Sequence, residues 1–262
     1  MSAPSNQLSR AHSSAGFVFQ DNRRASAVSL AGIVQPSDLS VVFQPLVDLN
    51  AGGRVFAHEV LVRCALPEFK NPLDLFARVV QGRCCGRLGR MIREIAVPLC
   101  NGVPLFVNVH PQELTEGWLV QADDPIFEHD HDIYVEITET VSFSHFRLCM
   151  DVIRDLRSRG GIHLVVDDLG SGYSNLKRIA DLEPKVVKID RELVKDVHLS
   201  RRQQLLVRGI IRLCDDLEAK VVVEGIEKQE ELRVLRDLGA HYGQGFLFAR
   251  PAFPIPTVYW PG

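Results

Sequence analysis

A closed (β/α)8 barrel is the fold class predicted by this sequence of 262 residues, on three observations. From Val41 onward, eight short apolar runs alternate with helix-length segments over about 220 residues, the layout of a barrel ringed by helices. No shift of composition inside residues 38 to 255 marks a second domain. The first apolar run is not followed by a glycine-rich dinucleotide fingerprint, which counts against the open doubly wound sheet, the other fold with this alternation.

Residues 1 to 36 are rich in Ser, Ala, Gln and Asn, carry Arg10, Arg23 and Arg24, and show little periodicity. They bury too little apolar surface to fix a backbone and are predicted to be a mobile tail or a short regulatory arm, leaving 37 to 262 as one domain. The predicted strands are Val41–Val47, Val55–Val62, Pro104–Val109, Ile133–Ile137, Ile162–Val166, Lys185–Ile189 and Lys220–Val223, with His241–Phe248 the weakest. Among the helices, Ser142–Arg159 places Phe146, Cys149, Ile153 and Leu156 on one face and stops at Gly160-Gly161, where glycine adopts a left-handed cap. Arg202–Leu217 does the same with Leu206, Ile210, Leu213 and Leu217.

With 46% hydrophobic and 24% charged residues the chain reads as an ordinary soluble globular protein. A formal net charge of −3 gives no electrostatic case for binding long nucleic acids, although cations held locally would still admit a small phosphorylated ligand. The six cysteines are scattered and lack zinc-ligand spacing, so reduced thiols are expected. No apolar run reaches the ~18 to 20 residues of a membrane span and no secretory signal opens the chain, so the expected location is cytoplasmic.

A parallel strand buried on both faces should be nearly all apolar. Here run after run ends in one polar residue of catalytic type: Glu59, Asn108, Glu136, Asp167, Lys188, Glu224 and, in the last unit, Gln244. Successive members lie 20 to 49 residues apart, compatible with one βα unit each, so all seven can meet at the C-terminal mouth of one barrel. Asp167 is followed directly by Asp168; adjacent strand residues face opposite ways, so both reach one site only if the strand is ending there. Carboxylates converging to ~4 Å repel by about 4 kcal/mol per pair at an effective dielectric of ~20. Hard divalent ions resolve this conflict, and an all-oxygen set with no His or Cys suits Mg²⁺ or Mn²⁺ better than zinc. Two ions bridged by one carboxylate form the clamp used for in-line phosphoester displacement. A lysine partly buried among metal ions has its pKa lowered, so Lys188 is a candidate to hold or deprotonate the attacking water.

The segments Glu59-Val-Leu-Val-Arg63, Phe106-Val-Asn-Val109, Glu136-Ile-Thr-Glu139, Asp167-Asp-Leu-Gly-Ser-Gly-Tyr-Ser174, Val187-Lys-Ile-Asp190, Val223-Glu-Gly225 and Gln244-Gly-Phe-Leu-Phe-Ala-Arg-Pro251 together resemble the motifs of EAL domains, bacterial phosphodiesterases of the second messenger cyclic di-GMP. The resemblance implies a TIM-like barrel whose first strand is antiparallel to the others. It implies that Glu59, Asn108, Glu136 and Asp167 bind one Mg²⁺ or Mn²⁺, that Asp167 and Asp168 bind a second, and that Lys188, Glu224 and Gln244 hold water and metal-bound ligands. Ca²⁺ is expected to permit binding and impair turnover. The resemblance assigns Gln44, Leu61, Arg63, Asp190 and Pro251 to substrate contacts, and the guanidinium fork of Arg63 suits a phosphate. It implies a homodimer in which Glu139 anchors the loop formed by Leu169, Gly170, Ser171 and Gly172, and a product, linear pGpG, from opening one phosphodiester bond. Two departures stand out: Leu169 replaces the usual Phe, and Cys64 replaces the frequent Trp ahead of a shortened connection, Pro67 to Asn71. A catalytically silent receptor acting through a regulatory protein partner, and an interaction module that binds no nucleotide, are the alternatives.

Overall fold

The computed structural model describes residues 29–138, 146–170 and 176–261. Eight strands close into one barrel in sequence order, which excludes the open doubly wound sheet. They are β1 Leu39–Asp48, β2 Val55–Cys64, β3 Leu105–Asn108, β4 Ile133–Thr138, β5 Ile162–Leu169, β6 Val186–Ile189, β7 Lys220–Val223 and β8 Tyr242–Gly243. β1 runs antiparallel to both neighbours, β2 and β8, and every other pair is parallel. The antiparallel start follows from chain length: only six residues join β1 to β2, enough for a hairpin but not for the crossover that a parallel pair requires. Gly52 and Gly53 supply the positive φ this turn needs, and the ring of Trp260 packs so closely that a Cβ on Gly53 would lie 2.2 Å from it.

Among the described residues, eight helices fill the connections: α1 Pro72–Gly82, α2 Cys85–Ala96, α3 Pro111–Glu116, α4 Phe146–Ser158, α5 Leu176–Leu182, α6 Arg191–Val194, α7 Arg201–Asp216 and α8 Gln229–Asp237. Several begin where the sequence offers a cap: Asn71 accepts from the Leu73 N–H ahead of Pro72, and Ser200 from that of Gln203.

Period-two alternation sorts the strand residues into two cores. Val107, Val135, Val166, Val187 and Val221 face the helices in the main cluster. Leu46, Ala57, Phe106, Tyr134, Val165, Val186 and Val222 form a separate cluster with Phe56 and Tyr242, which is the filled interior of the barrel. Stacked ring pairs, Phe56 with Tyr242 at 4.0 Å and Phe106 with Tyr134 at 4.4 Å, close the floor. Two residues beyond this layer, on the same face of each strand, come Glu59, Asn108, Glu136, Asp167, Lys188 and Glu224.

Four expectations change. Residues 29 to 36, assigned to the tail by composition, are described and partly buried: Leu30, Ile33 and Val34 pack with Leu75, Val79 and Leu88 in a third cluster. β8 shrinks from the expected His241–Phe248 to two residues, because the chain hooks over the loop after β7 at Gly245, where a Cβ would stand 2.1 Å from the Ile226 carbonyl oxygen. In α7 the buried stripe is Val207, Ile211 and Cys214, whereas Leu206 is 52% exposed; two apolar stripes one residue apart share this helix, and period alone does not choose between them. β5 continues past Val166 to Leu169, as described below. The described part of α4 starts at Phe146 and buries Ile153 and Leu156 as expected; residues 142 to 145 lie outside the described residues. Cys64, Cys84, Cys85, Cys100 and Cys214 are free. Among the described residues no helix is long and apolar enough to cross a membrane.

Candidate active site

The polar residues predicted at the strand ends converge above the floor of the barrel. Lys188 stands at the centre, 1% exposed, with Nζ 2.7 Å from Glu224 Oε1, 2.9 Å from Glu136 Oε1, 3.4 Å from Glu59 Oε2 and 3.5 Å from Asp167 Oδ1. Glu59 accepts from the Asn108 amide at 3.0 Å on one oxygen and from the Gln244 amide at 2.7 Å on the other. Gln244 Nε2 also donates to Gln44 Oε1 at 3.1 Å, and Gln44 Nε2 donates to the Ala249 carbonyl at 3.1 Å. Six strands, β1 to β6, and the loops after β7 and β8 thus meet in one hydrogen-bonded and ion-paired group.

The acidic pair owes its geometry to a bulge rather than to the end of a strand. Registration between β5 and β6 slips between Val166 and Leu169, and Asp168 takes a left-handed φ of 60°. The inserted residue breaks strict alternation, so both carboxylates can serve one side. The Asp168 N–H donates to Asp167 Oδ1 at 2.9 Å, and carboxylate oxygens of Asp167, Asp168 and Glu224 all lie within 4.8 Å of one another. Leu169, buried, then pairs with Ile189, and Gly170 follows at φ 111° with the Leu193 side chain where a Cβ would be.

Electrostatics divides the carboxylates. Burial raises all four that touch Lys188, but on Glu59 the Lys188 charge and the two amide donors prevail and hold it below the usual range. Burial dominates at Glu136, which stands well above that range with the Glu59 charge adding to the shift, and at Asp167, which is raised. Burial likewise takes Glu224 to about 8. For Lys188 burial alone would lower the pKa, yet the surrounding carboxylates override it and hold the ammonium well above the ordinary lysine value. The protein's own groups therefore act against the lowering expected beside metal ions.

Glu136 is short of partners: both oxygens are buried and, apart from the Lys188 ammonium 2.9 Å from Oε1, have no polar partner among the described residues. Glu59, Glu136, Asp167, Asp168 and Glu224 carry five formal negative charges against one on Lys188, an excess of four that two divalent cations would balance. An all-oxygen donor set with unsatisfied buried carboxylate oxygens fits hard divalent ions.

The expected substrate contacts are placed less centrally. Arg63 is half-buried, with Nη1 donating to the Val62 carbonyl at 2.8 Å. Asp190 caps α6, its Oδ1 accepting from the Glu192 N–H at 2.7 Å. Leu61 and Pro251 are half-buried. Gln44 is buried with its amide committed to Gln244 and Ala249. Glu139, Ser171 and Gly172 lie outside the described residues. The Ala249 carbonyl, which holds Gln44, had no signal in the sequence because its role is a main-chain one.

Fold and site define a barrel protein with an acidic, cation-ready mouth. The EAL domain family model matches residues 27–251, and the chain belongs to the EAL domain family. It is 29% identical over 246 residues to the cyclic di-GMP phosphodiesterase PdeR of Escherichia coli, covering 88% of this chain and 37% of that protein. It is 30% identical over 249 residues to the cyclic di-GMP phosphodiesterase RocR of Pseudomonas aeruginosa, covering 87% and 62%. Among solved structures, Klebsiella pneumoniae BlrP1 in a calcium/cy-diGMP complex superposes with a TM-score of 0.71 at 31% identity, over 83% of this chain and 57% of that one. Its manganese/cy-diGMP complex gives 0.70 at 30%. The chain thus spans between about a third and two thirds of the length of these relatives.

Proposed function

We propose that this domain hydrolyses cyclic di-GMP to linear pGpG with two divalent ions, Mg²⁺ or Mn²⁺. The observation that carries the reading is the complete set of oxygen ligands around Lys188, with Glu136 buried and unsatisfied among them. Glu59, Asn108, Glu136 and Asp167 would hold one ion, and Asp167 with Asp168 the other; Glu224 stands close enough to join the second. When bound, such a pair supplies Lewis-acid activation of water and neutralises charge on the phosphate.

The chain's own part is positional and electrostatic. Gln44 and Gln244 fix the orientation of Glu59. Lys188, held protonated by its neighbours, offers a positive charge beside the attacked phosphorus. Water gives up a proton and adds its oxygen to phosphorus, one P–O ester bond breaks, and the departing sugar oxygen takes up a proton, so that one water is consumed per bond opened. Arg63 at the rim reaches a substrate phosphate, with Gln44, Leu61, Asp190 and Pro251 lining the approach. Ca²⁺ supports binding and slows turnover. The active unit is a cytoplasmic homodimer, regulated through Leu169, Gly170, Ser171, Gly172 and Glu139, with room for a regulatory protein partner. Incubating purified protein and its Glu59→Ala variant with cyclic di-GMP and Mn²⁺ tests this reading: product from the first and none from the second is expected, and equal rates from both would defeat it.

A further inference from the structure

We propose that Lys188 holds down the affinity of the site for divalent cations, so that neutralising this one side chain tightens metal binding while removing turnover. The inference rests on the metal-dependent reading above. Lys188 Nζ lies 2.7 to 3.5 Å from oxygens of Glu224, Glu136, Glu59 and Asp167, the same carboxylates that would hold cations. A cation sharing these oxygens meets a like charge at short range, where the burial of Lys188, Glu136 and Glu59 weakens screening by water and salt.

Two features keep the ammonium there. An ammonium carries only three N–H donors and here faces four carboxylates, so part of its hold is Coulombic rather than hydrogen-bonded. The stem also has little room to withdraw. Lys188 rises from the middle of β6 between the buried Val187 and Ile189, and β6 is paired on both sides, with β5 and β7. Among the described residues, no other lysine or arginine is ion-paired with these four carboxylates. One side chain therefore carries the whole effect, and a substitution there reads it directly.

Mn²⁺ titration calorimetry without substrate, at pH 8.5, tests this on the whole chain and two variants. Lys188→Gln keeps N–H donors and loses the charge; Lys188→Arg keeps the charge. The Gln variant is expected to bind Mn²⁺ at least about tenfold more tightly than the wild type, and the Arg variant within about threefold of it. If the Gln variant folds only with metal, the Mn²⁺ concentration at half-folding, followed by circular dichroism, replaces the titration and should fall below the wild-type Kd. A Gln variant that binds Mn²⁺ no more tightly than the wild type, or more weakly, overturns the inference. That outcome leaves the hydrolytic reading intact, whereas wild-type protein that binds Mn²⁺ without turning over the cyclic dinucleotide defeats the hydrolytic reading and leaves this inference standing.

Discussion

The Gln244 amide donates to Glu59 Oε2 at 2.7 Å across 185 positions of sequence, while its other contact on the same nitrogen, Gln44 Oε1, is itself anchored to the Ala249 carbonyl. Glu59, the best-held carboxylate of the site, is thus oriented from β1 as well as from β8. Gln44→Ala frees Gln244 to rotate and is expected to lower kcat by roughly tenfold, about 1.4 kcal/mol, with KM little changed. Steady-state kinetics decide this; a rise confined to KM would show that Gln44 acts through substrate contact alone.

Protons and metal compete for the same oxygens. Glu136, Asp167 and Glu224 are raised by burial, Glu224 to about 8, so the folded protein keeps protons that the unfolded chain has released. The sign follows: in EDTA these three groups, joined by Glu113 raised to about 7 by burial, cost stability as pH rises from the ordinary carboxylate range toward the raised values, while His58, His110 and His241, lowered by burial, oppose them and the lowered Glu59 acts only below that range. The melting temperature in EDTA should fall between pH 5.5 and 8.5, and excess Mg²⁺ should restore more of it at the upper pH. Since binding must expel these protons, affinity for Mg²⁺ grows across the same window. A melting temperature in EDTA that rises with pH would contradict the assignment.

Gly170 has no room for a side chain: its φ is 111°, and a Cβ would lie 2.3 Å from Leu193 Cδ1. Gly170→Ala is expected to cost about 1–3 kcal/mol in urea unfolding and to weaken Mn²⁺ binding through the adjacent Asp168. Unchanged stability and unchanged binding would show that the bulge tolerates movement.

Away from the mouth, Arg93 of α2 is buried between Glu113, 2.5 Å from Nη1, and Asp124, 2.7 Å from Nη2. Removing the guanidinium strands two buried acids, so Arg93→Met should destabilise the fold by about 3–5 kcal/mol. Turnover per folded molecule should persist, because the triad ties α2 to α3, which carries Glu113, and to the loop carrying Asp124, and touches no residue of the site.

The polar set at the mouth was legible because it interrupts a strong pattern: a polar residue two places beyond an apolar one on the same strand face, seven times in phase, as in Tyr134 then Glu136 or Val186 then Lys188. The antiparallel β1 came from family resemblance, since periodicity carries no strand direction. The bulge at Asp168 was hidden because its cause is a backbone dihedral, and an Asp in the left-handed region looks like any other Asp in sequence. Gln44 was assigned to substrate by motif position; its engagement with Gln244 depends on β1 running opposite to β2, which brings Gln44 beside Glu59. The buried stripe of α7 was misplaced by one residue because Leu206 and Val207 begin equally good helical stripes.

The most direct test of the central claim is a chromatographic turnover assay of wild-type protein on cyclic di-GMP, with Mn²⁺ and with EDTA, across a range of protein concentrations. Linear pGpG should accumulate with Mn²⁺ and not with EDTA, with specific activity rising as the homodimer forms. Intact cyclic dinucleotide after prolonged incubation with Mn²⁺ at every concentration would contradict the account.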